Sequence, residues 1–265
     1  RWERDVLLGR ACWSARDLAR PVPDSFAREL RRARSLAAPF LEECLGEVLA
    51  ARPRLVGFTS VFQQHVASLA LARRIKAASP STVVVLGGAN CEGPMGAETA
   101  RSFPFLDAVV SGEGERVFPE IVARALEGRG LDGIAGVATP ASAAALLEAG
   151  RFPNAATVAR MDDLPLPDDT DFFEQLASSR FAGTWTPGLF VETARGCSWG
   201  EKSHCTFCGL NGTSMAFRSK SPARALAEIR GVTSRHPDSD LQVVDNILDT
   251  RYFESILPEL AKSPP

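Results

Sequence analysis

The sequence predicts an α/β protein: a mostly parallel sheet covered by helices, followed by a second, smaller αβ unit. Two observations carry this prediction. Short apolar, β-prone runs alternate with helical patterns from Leu55 onward, as in βαβ units. A proline-rich stretch then separates these units from a further strand at Leu189. A chain of 265 residues accommodates one large domain or two modest ones.

The N-terminal half supplies most of the predicted elements. The first fifty residues are predicted to be helical, because Pro23-Asp24-Ser25 offers a helix start and apolar residues recur on one face. Beyond them, the continuous apolar runs predict strands that are buried on both faces of a sheet. The strands are predicted at 55–59, 82–86, 108–110 and 134–138, and the helices at 68–78, 94–101 and 117–126.

The C-terminal half starts from a break in the pattern. Leu164-Pro165-Leu166-Pro167 cannot donate a regular ladder of hydrogen bonds and is predicted to be an extended linker. Two βα units follow, with strands at 189–193 and 241–244 and helices at 222–229 and 251–261. Two units cannot close a barrel of roughly 200 or more residues, so we expect an incomplete barrel. The predicted domains are 1–150, a linker at 151–185, and a partial barrel at 186–265.

Composition excludes several classes of protein. The chain is 45% apolar and 23% charged, with a formal net charge of -2, so it lacks the basic character of a general nucleic-acid binder. No apolar run approaches the length of a transmembrane helix. Six cysteines in a chain of this size do not resemble a secreted disulfide scaffold. Three of them cluster, which indicates a reducing, cytoplasmic setting.

The clustered cysteines predict a metal centre. Cys197 is followed after seven residues by Cys205, and Cys208 completes a Cys-x2-Cys pair. A structural zinc site would need a fourth ligand, for which His204 is the candidate. Because His204 adjoins Cys205, its side chain tends to point away from the same metal. An iron-sulfur cubane with one non-protein ligand fits better, and zinc stays open as the rival.

A strand, a three-cysteine loop with an aromatic residue before the last cysteine, and then a helix resemble the radical S-adenosylmethionine superfamily. This resemblance implies that Cys197, Cys205 and Cys208 bind three irons of a [4Fe-4S] cluster. The fourth iron would bind the amino and carboxylate groups of S-adenosylmethionine, and Phe207 would lie against the adenine. The superfamily commonly has three residues between the first two cysteines, whereas this chain has seven.

The wider motif, from Glu192 through Gly-Leu-Asn-Gly to Phe217-Arg218-Ser219-Lys220-Ser221, is similar to radical enzymes that mature ribosomally made peptides. Asp245 and Asn246 follow a strand end, where parallel barrels keep their chemistry. The resemblance implies that they face S-adenosylmethionine or substrate, while a polar turn is the alternative. Arg218 and Lys220 are candidates for pairing with a ligand carboxylate, or are simply solvated.

The strand ends of the N-terminal sheet form three landmarks: Gly-Phe-Thr-Ser from Gly57, Leu-Gly-Gly-Ala-Asn from Leu86, and Ser-Gly-Glu-Gly-Glu from Ser111. Ligands of such sheets bind beyond the carboxyl ends of the strands. Gly112-Glu113-Gly114-Glu115 is not a dinucleotide fingerprint, because it lacks the third glycine and its carboxylates would repel a pyrophosphate.

These landmarks resemble the Rossmann-like cobalamin-binding domain that precedes many radical S-adenosylmethionine barrels. The Asp-x-His-x-x-Gly signature is absent, so we expect cobalt without a histidine ligand and a lower face lined by residues 60–64. His65 is expected to be a surface or capping residue. The resemblance implies cobalamin contacts from Thr59, Ser60, Val61, Gln63, Gln64, Gly87, Gly88, Ala89, Asn90, Gly112, Glu113, Gly114 and Glu115.

The sequence therefore predicts a cobalamin-dependent radical S-adenosylmethionine enzyme that modifies a ribosomally made peptide, most simply as a C-methyltransferase. No catalytic side chain is assigned, because the cofactors carry the chemistry. The expected partners are the precursor peptide and a reductant such as a flavodoxin or ferredoxin. Two alternatives remain open: a non-methylating outcome (epimerisation, cyclisation or thioether formation), and a metal- or cobalamin-binding module without catalysis.

Overall fold

A computed structural model of the chain describes residues 23–184, 186–209 and 215–264. The predicted helical residues before Pro23, together with Cys12, lie outside this range. The chain divides into two compact units. The N-terminal unit contains the chain up to Ser111 and Phe118–Asn154, and the C-terminal unit contains Gly112–Val117 and the chain from Ala155. None of the described helices is both long enough and apolar enough to cross a membrane.

The N-terminal unit is built around a four-stranded sheet with the order β1-β2-β3-β4. Strands β1, β2 and β3 are parallel, and β4 runs antiparallel to β3. The elements are α1 (Asp24–Ala51), β1 (Leu55–Thr59), α2 (Gln64–Ala78), β2 (Val83–Gly87), α3 (Pro94–Ser102), β3 (Ala108–Val110), α4 (Gly114–Leu126), β4 (Val137–Ala138) and α5 (Pro140–Ala149). The first residues of α4, up to Val117, group with the C-terminal unit.

The core of this unit lies between the sheet and its helices. The central strand β2 is buried on both faces, as its unbroken Val-Val-Val-Leu run predicts. Ile75 of α2 and Leu86 of β2 are fully buried in this core. At the amino ends of β2 and β3, Lys76 Nζ donates to Asp107 Oδ2 at 2.7 Å, and Asp107 also accepts from Val84 N. This ion pair joins α2, β2 and the start of β3.

The strand near residue 137 differs from its prediction. Only Val137 and Ala138 form β4, and the strand is antiparallel rather than part of the parallel set. The reason lies in the preceding loop, where Gly128, Gly133 and Gly136 take positive φ angles and return the chain to the end of β3. Gly136 O accepts from Ser111 N at 2.8 Å, which fixes β4 beside that end.

Helix α5 was not predicted. Its alanine-rich sequence lacks the apolar period that indicates an amphipathic helix. The structure shows a capping box instead: the Thr139 side chain accepts from Ser142 N, and the Ser142 side chain accepts from Thr139 N. Gly150 ends the helix in the left-handed region.

The C-terminal unit contains a βαβ arrangement. Strands β5 and β8 are parallel, with Leu189 opposite Leu241, and helix α7 connects them. Leu189 and Val191 pack with Ile229 of α7 in the core of this unit. The elements are α6 (Thr170–Ser178), β5 (Leu189–Val191), β6 (Ala194–Arg195), β7 (Arg218–Ser219), α7 (Pro222–Arg235), β8 (Leu241–Val243) and α8 (Ile256–Lys262).

The segment predicted as an extended linker contains structure of its own. Met161–Asp163 forms a 3-10 turn, and Val158, Met161 and Leu164 form a small buried cluster. Helix α6 follows, where Asp168 Oδ1 accepts from Thr170 N. The prolines at 165 and 167 exclude a helix only at their own positions, so they give no information on the residues after them.

A buried ion pair connects the start of α7 with its middle. Lys220 Nζ donates to Glu228 Oε2 at 2.6 Å, and their side chains are only 3% and 1% exposed. The Tyr252 hydroxyl donates to Lys220 O at 2.7 Å, which ties a 3-10 turn at Thr250–Phe253 to the same place. Removing one partner of such a pair leaves an uncompensated buried charge.

We therefore expect Glu228→Gln to lower the free energy of unfolding by about 3 kcal/mol, because Lys220 loses its buried counter-charge. The double variant Lys220→Met with Glu228→Leu should recover most of this loss. Urea unfolding followed by circular dichroism measures both. Glu98→Gln, which removes a surface ion pair, is the control; an equal loss in that variant would contradict the importance of burial.

Candidate active site

The carboxyl ends of β1 and β2 meet at a tight backbone contact. Gly88 has φ +99°, and a Cβ built on it would lie 2.7 Å from Ser60 O. Ser60 N donates to Gly87 O at 2.7 Å, and Asn90 N donates to Ser60 O. Gly88 is therefore required by the packing of the two strand ends against each other, whereas the sequence suggested only an approach to a ligand.

Ser60 is the centre of a polar network beside this contact. Its side chain is fully buried, and its Oγ lies 2.9 Å from His65 Nδ1. Asn90 Nδ2 donates to the same Oγ at 3.0 Å and to Phe62 O at 3.0 Å. His65 thus contacts the strand-end loop through one ring nitrogen.

The residues expected to contact cobalamin divide into two groups. In the N-terminal unit, most line the loops after β1 and β2, and five of them are exposed: Thr59, Gln63, Gln64, Gly88 and Ala89. Val61, Gly87 and Asn90 are half-buried there. Gly112, Glu113, Gly114 and Glu115 group with the C-terminal unit.

Glu113 and Glu115 are engaged in ion pairs within the C-terminal unit. Arg218 donates to both carboxylate oxygens of Glu113, at 2.5 and 3.1 Å. Arg195 contacts Glu113, Glu115 and Glu192 with nitrogen–oxygen distances of 3.2, 2.6 and 2.8 Å. Two of the expected ligand contacts thus bind arginines of the β6–β7 hairpin, and Arg218, a candidate partner for a ligand carboxylate, pairs with Glu113.

The hairpin formed by β6 and β7 presents the first cysteine. Gly196 has φ +79°, and a Cβ there would lie 2.2 Å from Ala216 O, so this position requires glycine. Cys197 N donates to Met215 O at 3.1 Å, and Gly200 N donates to Cys197 Sγ at 3.3 Å. A backbone N–H donated to sulfur is a contact that tunes iron-sulfur clusters.

The second and third cysteines lie in one turn. Cys208 N donates to Cys205 O at 3.0 Å, and the side chains of all three cysteines are half-buried. Within the described residues, no group of three His, Cys, Asp or Glu side chains is placed to hold a metal ion, so the structure does not bring Cys197 to the pair. Residues 210–214, which include part of the Gly-Leu-Asn-Gly motif, lie outside the described ranges.

The three cysteines suit a cluster by their chemistry, since thiolates are the ligands of iron-sulfur centres. Cys91 differs from them: it is fully buried in the N-terminal core, and burial raises its pKa to about 12. The aromatic ring of Phe207 is 90% exposed beside Cys208. An exposed ring at that position is available to stack on a bound adenine.

Asp245 binds the protein rather than projecting freely. Its Oδ1 accepts from Thr193 N at 2.7 Å, and its Oδ2 accepts from the Thr193 hydroxyl. Asn246 is exposed beside it. Thr193 was not among the predicted site residues, although its place between Glu192 and the cysteine loop was a signal for it.

A cavity of about 710 Å³ lies next to the hairpin in the C-terminal unit. Its lining includes Arg160, Arg218 and Arg251 together with Asp162 and Asp249. The Arg251 guanidinium binds Asp249 and, with the Ser219 hydroxyl, holds the pKa of that carboxyl down to about 2. The other charges have partners beside the cavity: Arg218 pairs with Glu113, Arg160 pairs with Asp163, and Asp162 accepts from Ser221 N.

Comparison with known proteins reveals related folds. No protein-family model matches the sequence. Over 198 residues the chain is 26% identical to a protein of Pyrococcus horikoshii described as the uncharacterized methyltransferase PH0819. The aligned region covers 73% of this chain and 40% of that protein.

Solved structures give the clearer likeness. The cobalamin-dependent S-adenosylmethionine radical enzyme OxsB matches with a TM-score of 0.62 over 85% of this chain and 31% of its own. The radical S-adenosylmethionine methyltransferase TsrM of Kitasatospora setae, solved with cobalamin and a [4Fe-4S] cluster bound, matches with a TM-score of 0.52 over 83% of this chain and 42% of its own. Both are 18% identical to the chain.

These likenesses show that the mixed α/β fold, with its parallel sheet, resembles the fold of cobalamin-dependent radical S-adenosylmethionine enzymes. The chain spans less than half the length of each of these three proteins, between 31% and 42%. The fold expected from the sequence is therefore supported at this coarser level.

The Gly88 contact gives a first test. Gly88→Ala should lower the free energy of unfolding by about 2 kcal/mol without any ligand, because the new Cβ meets backbone and the φ angle is unfavourable. Gly93→Ala is the matched control, since Gly93 has φ +56° but open space around it. Thermal unfolding of the two variants compares them; equal losses would show that the close approach to Ser60 contributes nothing.

The Glu113 cluster gives a test of pH dependence. Burial would raise the Glu113 pKa, but hydrogen bonds from Arg218 and Val158 N outweigh it and lower the pKa. Its stabilisation is then fully present above the unfolded-state pKa of about 4.3 and is lost as pH falls through the lower folded-state value. Wild type should exceed Glu113→Gln by about 2 kcal/mol at pH 7.

That difference should begin to shrink as the pH falls below the unfolded-state pKa of about 4.3, and it should be lost as the pH falls through the lower folded-state pKa. Unfolding measured across this range checks it, with Glu43→Gln on the exposed side of α1 as the control. A difference that persists unchanged below pH 3 would mean that the Glu113 charge is not responsible.

Proposed function

We propose that this chain belongs to a cobalamin-dependent radical S-adenosylmethionine enzyme that methylates carbon in a ribosomally made peptide, working in the cytoplasm. The observation that carries the proposal is the cysteine loop: three clustered cysteines follow strands β5 and β6, in a chain whose fold resembles enzymes of this kind. The description of the Pyrococcus horikoshii relative as a methyltransferase favours methylation over other outcomes.

The chain's residues can be given roles in this function. Cys197, Cys205 and Cys208 would hold the [4Fe-4S] cluster, with Phe207 against the adenine of S-adenosylmethionine. When bound, these groups supply one-electron reduction and hydrogen abstraction, and cobalamin supplies the methyl group. The protein's part is to orient them and to keep water out.

The hairpin of β6 and β7 positions the start of the cysteine loop. Arg195 and Arg218 anchor it to Glu113, and Gly196 allows the turn into Cys197. Asp245 and Thr193 hold the ends of β8 and β5 together next to it. In the other unit, the loops after β1 and β2 present exposed polar and glycine residues that would contact cobalamin. We keep Thr59, Gln63 and Ala89 as such contacts.

Metal analysis tests the cluster. Anaerobically reconstituted protein should contain about four irons per chain, as a cubane requires, and should give an electron paramagnetic resonance signal after reduction. Replacing any of Cys197, Cys205 or Cys208 by Ala should remove most of the iron, whereas Cys44→Ala should keep it. Full iron in all three variants would refute the assignment, and stoichiometric zinc would favour a binding module instead.

A methyl-transfer assay tests which reaction the enzyme catalyses on the peptide. The full-length enzyme, with a flavodoxin or ferredoxin as reductant, should move label from the methyl group of S-adenosylmethionine into its precursor peptide. A modified peptide without label would favour epimerisation, cyclisation or thioether formation.

A further inference from the structure

The residues that follow Cys197 form an ordered turn. Glu201 N donates to Cys197 O at 3.0 Å, which closes one helical turn directly after the first cysteine. Lys202 N donates to Trp199 O at 3.0 Å and continues it. The backbone of residues 197–202, which we call the cysteine turn, is therefore fixed by its own hydrogen bonds.

The cysteine turn is also bound to the chain that returns from the cysteine loop. Glu201 Oε1 accepts from Phe217 N at 2.8 Å, across 16 positions of sequence. Cys197 N donates to Met215 O at 3.1 Å in the same returning stretch. Because Phe217 lies directly before strand β7, the carboxylate of Glu201 connects the cysteine turn to the hairpin.

The cysteine turn brings a backbone donor to the first cysteine sulfur. Gly200 N donates to Cys197 Sγ at 3.3 Å. A Cβ built on Gly200 would lie 2.4 Å from Met215 Sδ and 3.3 Å from Cys197 Cβ, so Gly200 packs directly between the returning chain and the cysteine. Gly200 adjoins Glu201 in the sequence. The contact of Glu201 with Phe217 N therefore controls how closely this donor approaches the sulfur.

The place of Glu201 in the sequence shows what its contact replaces. Glu201 stands four positions after Cys197, where a spacing of three residues would put the second cysteine. With that spacing, a cluster would fix this position itself. In this chain the second cysteine comes four residues later, at Cys205, and the end of the cysteine turn is held by a charge-assisted hydrogen bond instead.

We propose, on the basis of the proposed function, that Glu201 is a positioning residue that takes the place of a second cysteine at the end of the cysteine turn. By accepting from Phe217 N, its carboxylate keeps the Gly200 N–H on the Cys197 sulfur. A hydrogen bond donated to a cluster ligand stabilises the more negative, reduced form and so raises the reduction potential. Glu201 thus affects both how firmly the cluster is bound and how readily it accepts an electron.

Two variants of Glu201 separate its hydrogen bond from its charge. Glu201→Ala and Glu201→Gln both remove a negative charge, but only Gln keeps an oxygen that can accept from Phe217 N. In anaerobically reconstituted protein, the midpoint potential of the Ala variant should therefore be lower than that of the Gln variant. Redox titration followed by electron paramagnetic resonance measures both potentials. A role for the charge alone predicts equal values.

The rate of iron loss to a chelator gives a second measurement. Iron should leave the Glu201→Ala protein about tenfold faster than wild type, the effect of losing one hydrogen bond to a charged group. Glu201→Gln should lose iron at nearly the wild-type rate. Glu174→Ala, which removes an exposed carboxylate of α6 in the same unit, is the control and should change neither the rate nor the potential.

The protein before reconstitution tests the contact without a cluster. Amide hydrogen exchange at Phe217 should be about tenfold faster in Glu201→Ala than in wild type, because the acceptor is lost and water reaches this exposed contact. Glu201→Gln should exchange nearly as slowly as wild type.

The inference and the proposed function fail in different ways. Equal potentials in the Ala and Gln variants, equal rates of iron loss, or unchanged exchange at Phe217 in Glu201→Ala would each overturn the inference while the wild type still binds its cluster. Wild-type protein that holds zinc in place of iron, or that binds no metal, would overturn the proposed function and this inference with it.

Discussion

Three hydrogen bonds converge on Thr193, the residue at which strand β5 leads into the cysteine hairpin. Its N–H and hydroxyl donate to Asp245 after β8, and its carbonyl accepts from Lys220 N. The Tyr252 hydroxyl, which donates to Lys220 O, lies 3.3 Å from the same Thr193 carbonyl. Thr193 is only 2% exposed. The strand ends, the return from the hairpin and the following 3-10 turn are therefore held at one buried point, and the direction in which the chain enters the cysteine loop depends on it.

The two units keep polar groups at their candidate sites by the same means. In the N-terminal unit, the buried hydroxyl of Ser60 joins His65 and Asn90. In the C-terminal unit, the carboxylate of Glu113 joins Arg195 and Arg218. In both cases a satisfied buried network fixes loop geometry, since leaving any member unpaired would cost free energy. The loops can then present exposed groups, such as the ring of Phe62, in one orientation.

Sequence reasoning succeeded where the signal is local. The strands at Leu55–Thr59 and Ala108–Val110 have the bounds that their apolar runs predict. Ser221 caps α7 with Pro222 in its first turn, and this helix begins where it was predicted, at residue 222. Sequence reasoning failed where local signals are weak or absent. Helix α5 has no apolar period, and the direction of β4 follows from glycine conformations in the loop before it.

The sequence by itself determined the alternation of strands and helices. It also indicated the candidate chemistry through the cysteine spacing. Both are patterns among residues that are close in the sequence. Only the tertiary structure decided what the polar site residues contact. Arg218 and Glu113 are 105 positions apart, and Thr193 and Asp245 are 52 apart. The residues next to them in the sequence give no signal for these pairings. They exist because the folded chain buries the groups together, and a buried charge or hydroxyl must find a partner there.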